Sequence, residues 1–281
     1  MRWTPGGASD DVEDRRNESG GGGFQIGGRH IGVGGFLVLL VLSLVFHRNF
    51  LALLGPTSGG TVARPADPAR DAAEQHEKDL VSFVLDDTQK TWTQIFASRN
   101  LQYRHAKLVL FRDQIDSACG MAESATGPFY CPEDEKVYID LGFYDELKQR
   151  FGAPGEFAQA YVIAHEIGHH VQKQLGIEGK VMRLQQQDPS SKNALSVRLE
   201  LQADCMAGIW GHSTDQRDIL EQGEVQQGLN AAAAVGDDRL QRMSTGRVNP
   251  DSFTHGSSAQ RTQWFESGFK SGNLDSCNTF Q

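Results

Sequence analysis

Residues Tyr161-Val162-Ile163-Ala164-His165-Glu166-Ile167-Gly168-His169-His170-Val171 decide how this chain is read. Apolar residues dominate the stretch, and it lies inside a helical pattern that runs over Glu156–Leu175. Titratable side chains interrupt the apolar run only at H-E-x-x-H. Four residues turn a helix through about 400°, or about 40° net, so His165 and His169 project from one face. They can chelate one zinc ion there. Glu166 sits beside them, placed to reach a metal-bound water rather than the metal. Burying two imidazoles and a carboxylate in an apolar helix is costly unless something compensates, and zinc compensates. His170 points about 100° away from the ligand face and reads as a packing or hydrogen-bonding residue.

A catalytic zinc usually has three protein ligands and one open position. Thirty residues separate His169 from Glu200, enough for a turn and a return helix. In Leu199-Glu200-Leu201-Gln202-Ala203-Asp204, the two carboxylates again share a helical face. Glu200 is the expected third ligand. Asp204 is the expected acceptor of a ligand histidine's Nδ1–H. The alternative H-E-x-x-H-x-x-G-x-x-H pattern fails, because neither its glycine nor its third histidine falls at the right place.

The chemistry this implies is hydrolysis by a zinc-activated water, with Glu166 as general base. The developing oxyanion needs a further donor. His255, in the loop Asp251–Gly256, is the candidate, with Tyr161 and Tyr138 as weaker choices. The strand Val137–Leu141 could offer an open edge to an extended peptide. Two other readings stand beside a peptidase: a non-catalytic, zinc-stabilised binding module, and a zinc amidase acting on cell-wall peptides.

Around this core the chain is uneven. It has 281 residues, formal charge −9 and pI near 5.5, which argues against a nucleic-acid partner. The first 60 residues hold 14 of the 31 glycines and five arginines against five acids. All four cysteines and the whole net negative charge lie beyond them. Residues 1–30 lack a hydrophobic period and read as a disordered leader. Residues 31–54 read as one transmembrane helix. Its uncharged core Ile31–Phe46 spans roughly 24 Å, and extension to Leu54 gives about 36 Å against a bilayer core of about 30 Å. Residues 55–70 read as a linker and 71–281 as the zinc domain. Arginines before the span tilt the N-terminus toward the cytoplasm. Cysteines beyond it suit an extracytoplasmic body at a bacterial membrane. The cysteines allow three pairings; Cys119–Cys131 with Cys205–Cys277 is favoured, the first stapling a local loop and the second tying the tail to a helix.

Helical periodicity begins at Asp71, returns over Asn193–His212 and Glu224–Val235, and closes with Ser257–Phe269. Lys107–Phe111 and Lys136–Leu141 read as strands. The expected fold is therefore α+β, mostly helical with a small sheet.

The chain resembles the neutral zinc metallopeptidase family of bacterial membrane-anchored proteins. The resemblance lies in VEDRR (Val12–Arg16), the single apolar span, GPFYCPEDEKVYIDL (Gly127–Leu141), AHEIGHHVQ (Ala164–Gln172), ELQADCMAG (Glu200–Gly208) and THGSSAQRTQWFESGF (Thr254–Phe269). It implies a zincin-like, specifically gluzincin-like, architecture with the two motif helices packed across one Zn2+ ion. It also implies His165, His169 and Glu200 as ligands, Glu166 as base, and a peptide or protein as substrate. Oligomeric state and cleavage preference are not legible.

Overall fold

The computed structural model describes residues 1–18, 68–123, 127–149, 152–153 and 155–280. The strands are β1 (Val12–Asp14), β2 (Lys107–Phe111), β3 (Gln114–Ser117), β4 (Gly120–Glu123), β5 (Phe129–Cys131) and β6 (Lys136–Asp140). The helices are α1 (Pro68–Ala73), α2 (Gln75–Ser98), α3 (Gly142–Gln149), α4 (Glu156–Gln174), α5 (Ile177–Gln187), α6 (Lys192–Gln216), α7 (Glu224–Ala234), α8 (Asp237–Thr245) and α9 (Ser258–Ser271). A mostly helical fold with a small sheet is what the sequence pattern predicts.

The sheet runs β1-β2-β6-β5, with the first three strands parallel and β5 antiparallel at the edge. Alternate residues face opposite sides of a strand. Leu108, Leu110, Val137 and Ile139 enter the main core against the helices, while Val109, Phe111 and Tyr138 enter a smaller core with Ile115 and Ala122 of the β3–β4 hairpin. Covering both faces explains why KLVLF is apolar without alternation. The Cys119–Cys131 disulfide closes the smaller core and Cys205–Cys277 ties the C-terminal turn to α6, which is the favoured pairing.

α4 is the central helix, packed against α2, α6 and α7. Its contact with α6 is close at Gly168, where an added Cβ would stand 3.1 Å from the Ala203 backbone. α6 and α9 cross closer still: a Cβ on Gly268 would come within 1.9 Å of the Cys205 carbonyl oxygen. Gly168 lets the helix carrying Glu200 and Asp204 lie directly beside the one carrying His165 and His169, and Gly268 seats α9 against α6.

Three expectations need correction. The first 18 residues are not a disordered leader. Val12–Asp14 pairs in parallel with Leu108–Leu110. Arg16 is buried, with Nε 2.8 Å from Asp14 and Nη1 2.7 Å from Glu74. Lys136 bonds Glu13 at 2.8 Å, and the Met1 ammonium pairs with Glu224. Trp3 stacks on Phe83 and donates to Glu156 at 3.0 Å. The arm is held largely by paired charges, which leave no apolar period to find in the sequence. The remainder of that leader, 19–30, lies outside the described residues.

The second correction concerns topology. Residues 31–54 and most of the 55–70 linker also lie outside the described residues, although α1 already begins at Pro68. Among the described residues no helix is long and apolar enough to cross a membrane. One crossing by 31–54 would put residues 1–18 and the body on opposite sides. Since β1 is a strand of the body's own sheet, a cytoplasmic N-terminus with an extracytoplasmic body does not fit this fold. Third, β6 is not an open edge. It is flanked by β2 and β5, and the edge strand on that side is β5.

Candidate metal centre and cleft

Two long helices, separated in the chain by α5, supply the centre. His165, Glu166 and His169 come from α4, and Glu200 and Asp204 from α6. The donor atoms of His165, His169 and Glu200 all lie within 4.8 Å of one another. Glu200 stands 3.2 Å from His165 Nε2 and 3.5 Å from His169 Nε2. Ligands about 2.0–2.1 Å from a tetrahedral zinc are about 3.3–3.4 Å apart, so this donor set fits the ion in chemistry and in spacing.

Each imidazole is oriented through its other nitrogen. His165 Nδ1 donates to Asp204 at 2.9 Å, and His169 Nδ1 donates to Gln172 at 2.9 Å, which leaves both Nε2 atoms facing Glu200. Gln172 is fixed in turn, its amide nitrogen donating to the Leu199 carbonyl at 2.7 Å. Asp204 has no solvent exposure and is surrounded by donors: His165, the Tyr161 hydroxyl, and Nε and Nη2 of Arg261 at 2.8 and 2.9 Å.

The electrostatics follow from this packing. Burial alone would lower the His165 pKa, but its hydrogen bonds to Asp204 and Glu200 raise it to about 10. Burial pushes Glu200 up, yet the two histidines and Arg261 bring it well below the usual carboxylate range. Burial dominates at Glu166 and raises its carboxyl, against the pull of His165 and His169. Thus the donor set holds Glu200 as an anion, while burial makes the charged form of Glu166 less favourable than in water.

The centre opens into a cleft of about 640 Å³, lined by Glu166, His169, His255 and Arg261 and walled by apolar side chains including Phe129, Phe143 and Val162. His255 reaches it from the loop before α9. Asp237 accepts from the backbone amides of Thr254, His255 and Gly256 and lies 3.3 Å from His255 Nδ1. That contact raises the His255 pKa despite burial. Tyr161 also lines the cleft, though its hydroxyl is committed to Asp204. Tyr138 does not reach it: the ring packs in the smaller core and the hydroxyl donates to Asp134 at 2.7 Å. His170 is fully buried, as its position on the helix suggested. Its Nε2 donates to the Arg104 carbonyl at 2.7 Å and its Nδ1 accepts from Tyr130 of β5 at 2.9 Å, so it holds the edge strand to α4.

Sequence reasoning thus brought together His165, Glu166, His169, Glu200, Asp204 and His255. It missed Arg261, Gln172 and Asp237. An arginine on the apolar face of the Trp264–Phe265 helix was the one available signal for Arg261; the other two become visible only in three dimensions.

The fold and centre define a helical α+β protein built around two histidines and a glutamate whose donor atoms could hold one metal ion. The family described as "Putative neutral zinc metallopeptidase" matches residues 1–280, and the chain belongs to it. Its relatives include the uncharacterized protein YpfJ of Escherichia coli K12, 50% identical across 100% of this chain and 99% of that protein. The uncharacterized proteins Mb2605 of Mycobacterium bovis and Rv2575 of Mycobacterium tuberculosis are 44% identical over 63% of each chain. No solved structure matches.

Proposed function

We propose that the protein is a zinc-dependent peptidase in which His165, His169 and Glu200 hold one ion and Glu166 is the general base. The observation that carries this reading is the convergence of three oriented donors beside a buried carboxylate in an open cleft. Zinc held there would supply Lewis acidity to a water and to the scissile carbonyl. Glu166 accepts the proton of the attacking water and returns it to the leaving nitrogen. His255, oriented by Asp237, donates to the carbonyl oxygen as charge builds on it. Arg261 and Tyr161 keep Asp204 in place, and Asp204 takes the Nδ1–H of His165, which turns Nε2 toward Glu200 and the ion they would share.

The packing of two motif helices across the donor set supports a gluzincin-like arrangement. The substrate is a peptide or protein, laid in extended form along the edge strand β5, whose Phe129 and Tyr130 line the cleft. Two disulfides favour an oxidising, extracytoplasmic setting. The apolar residues 31–54 supply the membrane attachment, with arm and body on one face of the bilayer.

Zinc analysis together with cleavage of internally quenched peptides tests the assignment. The wild type should carry one zinc per chain, and His165→Ala and Glu200→Ala should lose it. Glu166→Gln should keep zinc and lose hydrolysis; full activity in that variant would overturn the mechanism.

A further inference from the structure

Two carboxylates of the cleft lining, Glu146 and Glu178, have no part in the chemistry above, and Glu178 is the one that His169 faces. Glu178 stands in the first turn of α5, just after Gly176 turns the chain at the end of α4 with φ of 70°. This reversal brings Glu178 back to the cleft wall on the His169 side. The residue is half-buried, and no hydrogen bond or ion pair is made to its side chain among the described residues. The charged groups facing it are His169, Lys173 and Glu133.

None of them neutralises it. Lys173 pairs with Glu135 at 3.4 Å and donates to the Pro132 carbonyl. His169 is committed to Gln172 and Glu200. Glu133 has the same sign. Burial pushes the Glu178 carboxyl up, while His169 and Lys173 pull it down. It is not among the side chains whose donor atoms converge on the metal position. Two carboxylates, Glu178 and Glu133, with the Lys173 ammonium facing Glu178, also make too poor a ligand set for a second divalent ion. What Glu178 lacks is a cation brought by the substrate.

We propose that Glu178 is a specificity-determining residue that binds a positively charged group of the peptide substrate, so that the cleft prefers peptides with an ammonium or guanidinium close to the scissile bond. This rests on the peptidase reading. The cationic group has two sources, a Lys or Arg side chain or the substrate's own amino terminus. Arg261 stands across the centre with the Asp204 and Glu200 carboxylates and the Tyr161 hydroxyl around it, which gives the cleft a different character at its two ends.

The test uses the full-length, zinc-loaded protein and quenched peptides of one length. They carry Lys, norleucine or Glu near the cleaved bond, each with a free or an acetylated amino terminus. The wild type should favour the cationic member by about 10- to 100-fold in kcat/KM, the range of one partly desolvated ion pair. Glu178→Gln should remove the preference and Glu178→Lys should turn it toward Glu. Dependence on Lys assigns the group to a side chain, and dependence on the free terminus assigns it to the α-ammonium. A preference that survives in Glu178→Gln, or a wild type without one, overturns the proposal. Binding of dye-labelled forms of the same peptides, followed by anisotropy, separates it from the peptidase reading. Charge-selective binding that needs Glu178, without cleavage of any peptide, would leave this proposal standing and remove that one. Binding blind to charge would remove this one.

Discussion

Asp204 illustrates how much of the centre depends on a residue that need not touch a metal. It is fully buried, accepts from His165, Tyr161 and Arg261, and is held below the usual carboxylate range by those partners despite its burial. Asp204→Asn would leave His165 poorly oriented and Arg261 with an unmatched buried charge. Zinc affinity should fall about 10- to 100-fold, measured by competition with a chelator. Asp237 does the same for His255, whose raised pKa has the Asp237 hydrogen bond as its first cause. In Asp237→Asn the His255 titration, followed by NMR of the imidazole, should move to lower pH. The sign is that of a cation losing its anion; an unchanged titration would remove Asp237 as the cause.

At the scale of elements, the contact of α4 with α6 decides the spacing of the donors. Gly168→Val should cost about 1–3 kcal/mol through overpacking against Ala203. The same substitution should lower zinc content, because the helices must separate where Glu200 meets the histidines. Chemical denaturation and metal analysis would show both. The two helices were readable in the sequence because H-E-x-x-H and the Glu200/Asp204 pair occupy single helical faces within apolar runs. α5 was not readable: its exposed Met182 and Leu184 blur any apolar face, and Glu178 lies on it. The strand pair at Lys107 and Lys136 was legible from apolar content, but strand order was not. Sequence does not say which strand ends at the edge, so β6 stood as a candidate for the place that β5 takes.

At the scale of the whole molecule, any ligand that binds only the folded state stabilises it by mass action. Chelation should therefore lower the Tm of the wild type and leave Glu200→Ala unmoved, as scanning calorimetry would show. The arm adds a pH dependence. Burial would raise the pKa of Asp14, but hydrogen bonds from Arg16 and Lys78 bring it well below the usual range, and Glu74 is lowered by Arg112 and Arg16. Groups with depressed folded pKa values stabilise fully above their unfolded values near 4 and lose that contribution as pH falls through the folded ones. Protection of residues 1–18 against hydrogen exchange, taken relative to the intrinsic rate at each pH, should fall as pH drops below about 4, before that of α6. Exchange in step with α6 would show that the arm opens only with the whole body. The arm was invisible in the sequence because opposite charges 58 residues apart, Arg16 and Glu74, meet only after folding.

β1 also has a protective role. The sheet has two borders, and one of them opens on the cleft. At the other, a three-residue strand carrying Glu13 and Asp14 covers the backbone of Leu108–Leu110. Short, charged border strands are how proteins keep sheets from joining one another. A chain lacking its first 18 residues would expose Lys107–Phe111, an apolar five-residue strand, along its whole hydrogen-bonding side. Such truncated chains should stick to one another strand to strand, and their light scattering should grow with concentration while that of the intact chain stays flat.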